Sequence, residues 1–223
     1  MVSKRLIVAI DGPSGAGKGT VARAVAARLG YRHVDTGAMY RAVAWRALHD
    51  GVDVADEAAV AALGERAVFD LDRGRVLIDG HDVAAAIRTL EIDKAAAAVA
   101  RHPAVRRALV ARQRGYGEAG GVVMEGRDIG TVVFPDAHVK IYLDASPEER
   151  ARRRAADPAH ASSKAAQLAD VATALAERDK SDSTRPVSPL AVAPDAVVID
   201  TTGVPIADVI ERVLQLVAAA DDR

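Results

Sequence analysis

The chain has 223 residues, half of them apolar and 27% charged, with a formal net charge of −1. That is the composition of one folded domain with room for inserted pieces, and it excludes a disordered or membrane-embedded chain. The balanced charge and 3% aromatic content argue against a general nucleic-acid binder or an electrostatic membrane binder, and the absence of cysteine excludes disulfides, thiol nucleophiles and Cys-based metal centres.

Leu6 to Ile10 is an apolar run that ends at Asp11. It is too short for a signal-peptide core or a membrane span and reads as a buried strand of a parallel sheet. No targeting segment is visible, so a cytoplasmic protein is expected. A Gly-rich turn follows, then a helix from about Gly17 to Leu29, stopped at Gly30. His33-Val34-Asp35 reads as a second strand. Met39 to His49 reads as a helix ended by Gly51, and 56–68 as another.

Over 69–83 the pattern changes. Phe69-Asp-Leu71, Asp72-Arg-Gly-Arg75 and Val76-Leu-Ile78 read as a small hairpin that interrupts the strand–helix alternation. An insert is therefore expected at about 63–90. Residues 91–114 return to helix, broken near Pro103. Val122-Val-Met124 and Val139-Lys-Ile-Tyr-Leu143 are further strands. Ser146, Pro147 and Glu149 form a helix start with cap, first-position proline and acidic third position. The polar stretch 157–163 is expected to be a mobile loop. Val197-Val-Ile199 is a fifth strand, and Ile206, Val209, Ile210, Val213, Leu214 and Val217 give the last helix one apolar stripe. Short buried strands alternating with helices predict a single α/β domain over 1–223, built on a parallel sheet.

Gly12-Pro13-Ser14-Gly15-Ala16-Gly17-Lys18-Gly19-Thr20 fits a glycine, four residues, then Gly-Lys. The chemistry requires these residue types. Glycines let backbone N–H groups turn toward phosphate oxygens, the following helix adds its positive end, and Lys18 reaches the β- and γ-phosphates. The strand before and helix after supply the required context. Gly19 stands where many such loops carry Ser or Thr. That removes a direct hydroxyl ligand for Mg²⁺ and places Thr20 near the α-phosphate.

Three further clusters sit where loops leave the strand ends: Asp35 to Arg41, Glu125 to Thr131, and Arg178 to Arg185. In open parallel sheets ligands bind outside the carboxyl ends of the strands. Loops rich in Arg and Asp there predict a second, anionic ligand facing the phosphate loop. A phosphate acceptor is already an oxyanion near neutral pH and needs no general base. Catalysis is then positioning and charge neutralisation by arginines and Mg²⁺, and the six histidines are scattered with no metal-binding or His–Asp spacing.

In order and spacing these motifs closely resemble the bacterial cytidylate kinases, within the nucleoside monophosphate kinases. The resemblance runs from the phosphate loop through Asp35-Thr-Gly-Ala-Met-Tyr-Arg41, Ile87-Arg-Thr89, Gly126-Arg-Asp-Ile-Gly-Thr-Val-Val-Phe-Pro135 and Arg178 to Arg185. It implies a P-loop kinase fold with a five-stranded parallel sheet flanked by helices, an acceptor-binding insert and a short lid at about 150–185. It also implies transfer of phosphate from Mg·ATP to CMP or dCMP, by a monomer with no nucleic-acid or membrane partner. Carried over residue by residue, Gly12 to Thr20 hold ATP, Arg41 and Arg127 hold the acceptor phosphate, and Arg106 and Asp128 read the cytosine edge. Arg178 and Asp182 contact the ribose, Arg185 completes the site, Tyr40 packs beside the pyrimidine and Thr36 lines the acceptor pocket. A lid arginine, Arg154 or a neighbour, closes on the transferring phosphoryl. Some relatives have a serine at what is here Ala97.

Two other readings stand beside this one. One is a kinase of the same fold with a different small acceptor. The other is a nucleotide-dependent switch, although a guanine-specific Asn-Lys-x-Asp motif is absent from the sequence. The basic helix Arg101 to Arg114 could be taken for an RNA-binding face, which the neutral net charge and scarce aromatics disfavour. Glu125 is a candidate for touching Mg²⁺ through water, or for orienting Arg127.

Overall fold

The structure is a computed structural model and describes residues 5–157 and 168–221, without the side chain of residue 73. In chain order its elements are β1 (Ile7–Asp11), α1 (Lys18–Leu29), β2 (Arg32–Asp35), α2 (Thr36–His49), α3 (Glu57–Arg66), β3 (Phe69–Asp70), β4 (Leu77–Ile78) and β5 (His81–Asp82). There follow α4 (Leu90–Val99), α5 (Pro103–Gly115), β6 (Val122–Glu125), a single π-helical turn over Ile129–Val133, β7 (Val139–Asp144), α6 (Pro147–Ala156), α7 (Leu168–Thr184), β8 (Val197–Asp200) and α8 (Ile206–Asp221).

Five strands form one parallel sheet in the order β2-β6-β1-β7-β8. β1 is central and apolar up to its last residue, Asp11, because both of its faces are covered. Val8 and Ile10 pack with α1 and α8, while Ala9 faces the opposite layer of α2 to α5. β6 alternates in the same way, Val123 to the first layer and Val122 and Met124 to the second. The result is a three-layer α/β/α sandwich whose strands all point their carboxyl ends at one edge. On α8, Val209, Ile210, Val213 and Val217 are buried as the periodicity predicts, but Ile206 is exposed at the helix start.

Three local readings need correction. α2 begins at Thr36, three residues before the expected Met39, because the Asp35 side chain accepts from Ala38 N at 3.0 Å and caps the helix there. The piece over 69–82 is a three-stranded antiparallel sheet, β3-β4-β5. Ile78 pairs with His81 around Asp79-Gly80, both at positive φ, which is the tight turn that matches strand twist. The third cluster, Arg178 to Arg185, is no loop: it runs along the end of α7. Most of the expected loop at 157–163 lies outside the described residues. Among the described residues no helix is long and apolar enough to cross a membrane.

Candidate active site

The loop between β1 and α1 opens onto a cleft of about 750 Å³ at the carboxyl edge of the sheet. Gly12 sits at φ 144, and a Cβ there would run into the Leu143 carbonyl of β7, so the loop leaves the sheet flush against the neighbouring strand. Gly12, Pro13 and Ala16 form the buried floor, while Ser14, Gly15, Gly17, Lys18, Gly19 and Thr20 line the cleft. Gly17 takes the left-handed conformation at the helix N-terminus, without a side-chain cap. The first N–H groups of α1 are thereby left to face a ligand.

Lys18 is only 6% exposed, and its ammonium donates to the Pro13 carbonyl at 2.7 Å. Burial, followed by the nearby Arg127 charge, pushes its pKa down to about 7. The loop is also gripped from outside. Ser14 N donates to Asp179 Oδ1 at 3.3 Å, and Arg150 Nη1 donates to the Ser14 carbonyl at 3.2 Å while pairing with Asp179. Arg153 instead reaches the Thr201 carbonyl at 2.7 Å.

Across the cleft lies the arginine constellation. Asp128 ends the segment after β6 and is buried between two guanidinium groups. Arg106 Nη2 pairs with one of its oxygens, and Arg185 Nη2 lies 3.5 Å from the other. Arg106 is 2% exposed and stands 5.2 Å over the Tyr40 ring. Burial raises the Tyr40 pKa to about 12, so its hydroxyl stays protonated. Asp182 gathers a second set: Arg127 Nε at 3.0 Å, and Arg178 Nε and Arg185 Nη1 each at 3.6 Å. Burial opposes the Asp182 charge, but these arginines hold its pKa below the usual carboxylate value. Arg178 and Asp182 share a face of α7 at i and i+4, which is how a helix delivers what a loop was expected to supply.

Arg41 donates to the Ile87 carbonyl at 3.0 Å and pairs with Asp93, a residue for which the sequence suggested no role. Arg154 also reaches Asp93, at 2.7 Å. Thr36 Oγ1 donates to the Glu125 carbonyl at 2.7 Å and ties the start of α2 to the end of β6. The Glu125 side chain faces His33 at 2.9 Å, and its charge is also among those that favour the protonated Arg127 guanidinium. Beneath the site the Asp11 carboxylate accepts from the backbone N–H groups of Ile129 and Gly130 at 2.8 and 2.7 Å. Burial pushes its pKa up to about 6 despite those bonds. Asp11 thus links the strand bearing the phosphate loop to the turn that follows Arg127 and Asp128. It was legible only as the last residue of a strand.

Residues 8–219 match the cytidylate kinase family. The chain belongs to that family. It is 51% identical to the cytidylate kinase of Solibacter usitatus (strain Ellin6076), over 96% of this chain and 93% of the relative. It is 48% identical to the cytidylate kinase of Geobacillus kaustophilus (strain HTA426), over 97% of this chain and 98% of the relative. Among solved structures, a gluconokinase from Sinorhizobium meliloti 1021 superposes with a TM-score of 0.50 at 14% identity, covering 98% of this chain and 95% of that one. That likeness concerns the fold alone.

In this cytidylate kinase family member, one cleft is lined by Lys18 and the loop at one end and by Thr36, Tyr40, Arg41, Arg106, Arg127, Asp128, Arg178, Asp182 and Arg185 at the other. Arg154 lines it as well. Arg41 of α2, Arg106 of α5, Arg127 after β6, Arg154 of α6, and Arg178 and Arg185 at the end of α7 all converge on one volume. Guanidinium groups gathered in this way are the groups that suit phosphate recognition in general.

Proposed function

We propose that this chain transfers the γ-phosphoryl group of ATP to CMP or dCMP, giving ADP and CDP or dCDP. The observation that carries the reading is Asp128, buried between Arg106 and Arg185 at the far end of the cleft that Lys18 opens. An ionised carboxylate there accepts from the exocyclic amine of cytosine, and Arg106 beside it donates to the ring acceptors. Arg41 and Arg127 take the acceptor phosphate, Arg178 and Asp182 the ribose, and Arg185 the space between base and phosphate. The loop N–H groups and Lys18 take the donor phosphates, with Thr20 on the α-phosphate side.

An acceptor phosphate oxygen forms a bond to the γ-phosphorus as the bond from that phosphorus to the β–γ bridging oxygen breaks. No proton need be removed first, so the site needs no general base. The arginines and Lys18 balance charge on the equatorial oxygens and hold the two ends in line. Divalent metal fits this site through Glu125. A side chain starting at Gly19 would stand 3.3 Å from Glu125 Oε1, so a carboxylate faces the place where other loops offer a hydroxyl. Glu125 would hold Mg²⁺ brought in with ATP, directly or through water, and the ion would supply further neutralisation of phosphate charge.

The test is ADP release in the presence of CMP, dCMP, UMP, AMP and GMP. Turnover with CMP and dCMP well above the rest is expected. Equal turnover with a purine nucleotide would overturn the reading.

A further inference from the structure

Asp93 stands on α4, outside every motif that marked the site in the sequence. Its carboxylate pairs with Arg41 of α2 and with Arg154 of α6, the latter at 2.7 Å. Its backbone carbonyl accepts from Arg178 Nη1 of α7 at 3.0 Å. One residue therefore collects guanidinium groups from three elements that otherwise approach the cleft from different sides. These three arginines are among those assigned above to the acceptor or the transferring phosphoryl.

The crowding has a cost. Burial lowers the pKa of all three arginines, and each feels at least one neighbouring guanidinium. Arg41 faces Arg154 and Arg88, with Asp35 and Asp93 opposing; Arg154 faces Arg178, with Asp93 and Asp157 opposing. Arg178 faces Arg127 and Arg41, with Asp182 and Asp93 opposing. Asp93 acts on all three. The side chains of Arg41, Asp93 and Arg154 are each under one-fifth exposed, so their attraction is weakly screened by water and salt.

We propose that Asp93 is a positioning residue for phosphoryl transfer, drawing Arg154 of α6 to Arg41 of α2 and setting the arginine pair that meets the incoming phosphate. The inference rests on the function proposed above. Asp93 itself need not touch substrate. Its carboxylate presents the same fork geometry to guanidinium as a phosphate does, so it fixes the orientation of both arginines before substrate arrives.

The test is a double-mutant cycle on kcat/KM for CMP at saturating ATP. Asp93→Asn keeps the side-chain shape and leaves the carbonyl bond to Arg178, but loses the charge. It should lower kcat/KM for CMP by roughly ten- to a hundredfold, with KM for ATP unchanged. In an Arg154→Ala background the same change should cost less by roughly threefold or more, because one of the two arginines it positions is gone while Arg41 remains. Asp93→Ser should behave like Asn, guarding against a peculiarity of one side chain. A purely structural role would give equal costs in both backgrounds. Equal costs, or an Asp93→Asn enzyme with wild-type kinetics, would overturn the proposal. If the wild-type chain prefers another nucleoside monophosphate, the cytosine reading falls, and the cycle run with that acceptor still decides the role of Asp93.

Discussion

The Glu125 carboxylate accepts a hydrogen bond from His33 Nε2 at 2.9 Å, across the adjacent ends of β2 and β6. The pair fixes one carboxylate oxygen and leaves the group turned toward Gly19 of the phosphate loop. A carboxylate so held is oriented before any metal arrives, as outer-shell partners orient metal ligands generally.

Glu125→Gln is therefore expected to raise the Mg²⁺ concentration needed for half-maximal rate by roughly tenfold, while Kd for CMP stays unchanged. Mg²⁺ titration at fixed ATP, alongside calorimetric CMP binding, checks both halves. An unaltered Mg²⁺ dependence would remove Glu125 from the metal side.

Lys18 carries the strongest electrostatic expectation. Lys18→Ala should lower kcat by roughly a hundred- to a thousandfold with the fold intact by circular dichroism, since a preorganised charge at the reacting phosphates is worth that much. The pH dependence follows from its pKa near 7. In the free enzyme the ammonium loses its proton as pH rises through that value. kcat/KM for ATP should then fall about tenfold per pH unit above it. Bound phosphates raise the same pKa, so kcat should hold to higher pH. A flat kcat/KM profile from pH 7 to 9 would contradict the assignment.

Arg41→Lys and Arg127→Lys keep the charge but lose the planar fork. Each should weaken use of CMP by roughly tenfold or more while leaving ATP binding nearly unchanged, because bidentate geometry is what the acceptor phosphate requires. Separate KM values for the two substrates are the readout. Equal losses on both sides would place these arginines at the donor end.

Base choice should turn on Asp128. Facing uracil, its carboxylate would meet a carbonyl oxygen where cytosine offers an amine. CMP should be preferred to UMP by roughly two orders of magnitude in kcat/KM, because a site built to hydrogen-bond one group rejects its mismatch. Asp128→Asn presents either an amide donor or a carbonyl acceptor and should narrow the gap, mainly by losing CMP activity. An unchanged CMP/UMP ratio would mean that Asp128 supports Arg106 and Arg185 without reading the base.

Much of this was legible because it is local. The strand, loop and helix around Lys18 are contiguous, and the apolar runs of β1, β6 and β7 are buried on both faces, so composition alone marked them. β5 was not legible: His81 and Asp82 are both exposed, and two polar residues carry no strand period. α7 was hidden because only Val171, Leu175 and Asp182 of its residues are buried, too few to stand out among charges. Asp93 left no signal at all, since its partners lie in α2, α6 and α7 and no spacing within α4 points to them. Ion pairs between distant elements are set by the tertiary fold, and sequence patterns record only near neighbours.

The central place of β1 has a consequence for how the chain is made. Its backbone bonds to His138, 131 residues further on, and the Asp11 side chain caps backbone groups 118 and 119 residues away. Both neighbouring strands are thus synthesised long after β1 itself. During translation the nucleotide loop hangs on a strand with no partner, and its apolar residues wait exposed for β6 and β7. Such distant pairing slows folding and invites misassociation. Nucleotide is expected to stabilise the chain only once β7, ending at Asp144 of 223 residues, has been made, so ligand rescue during synthesis is confined to its later part.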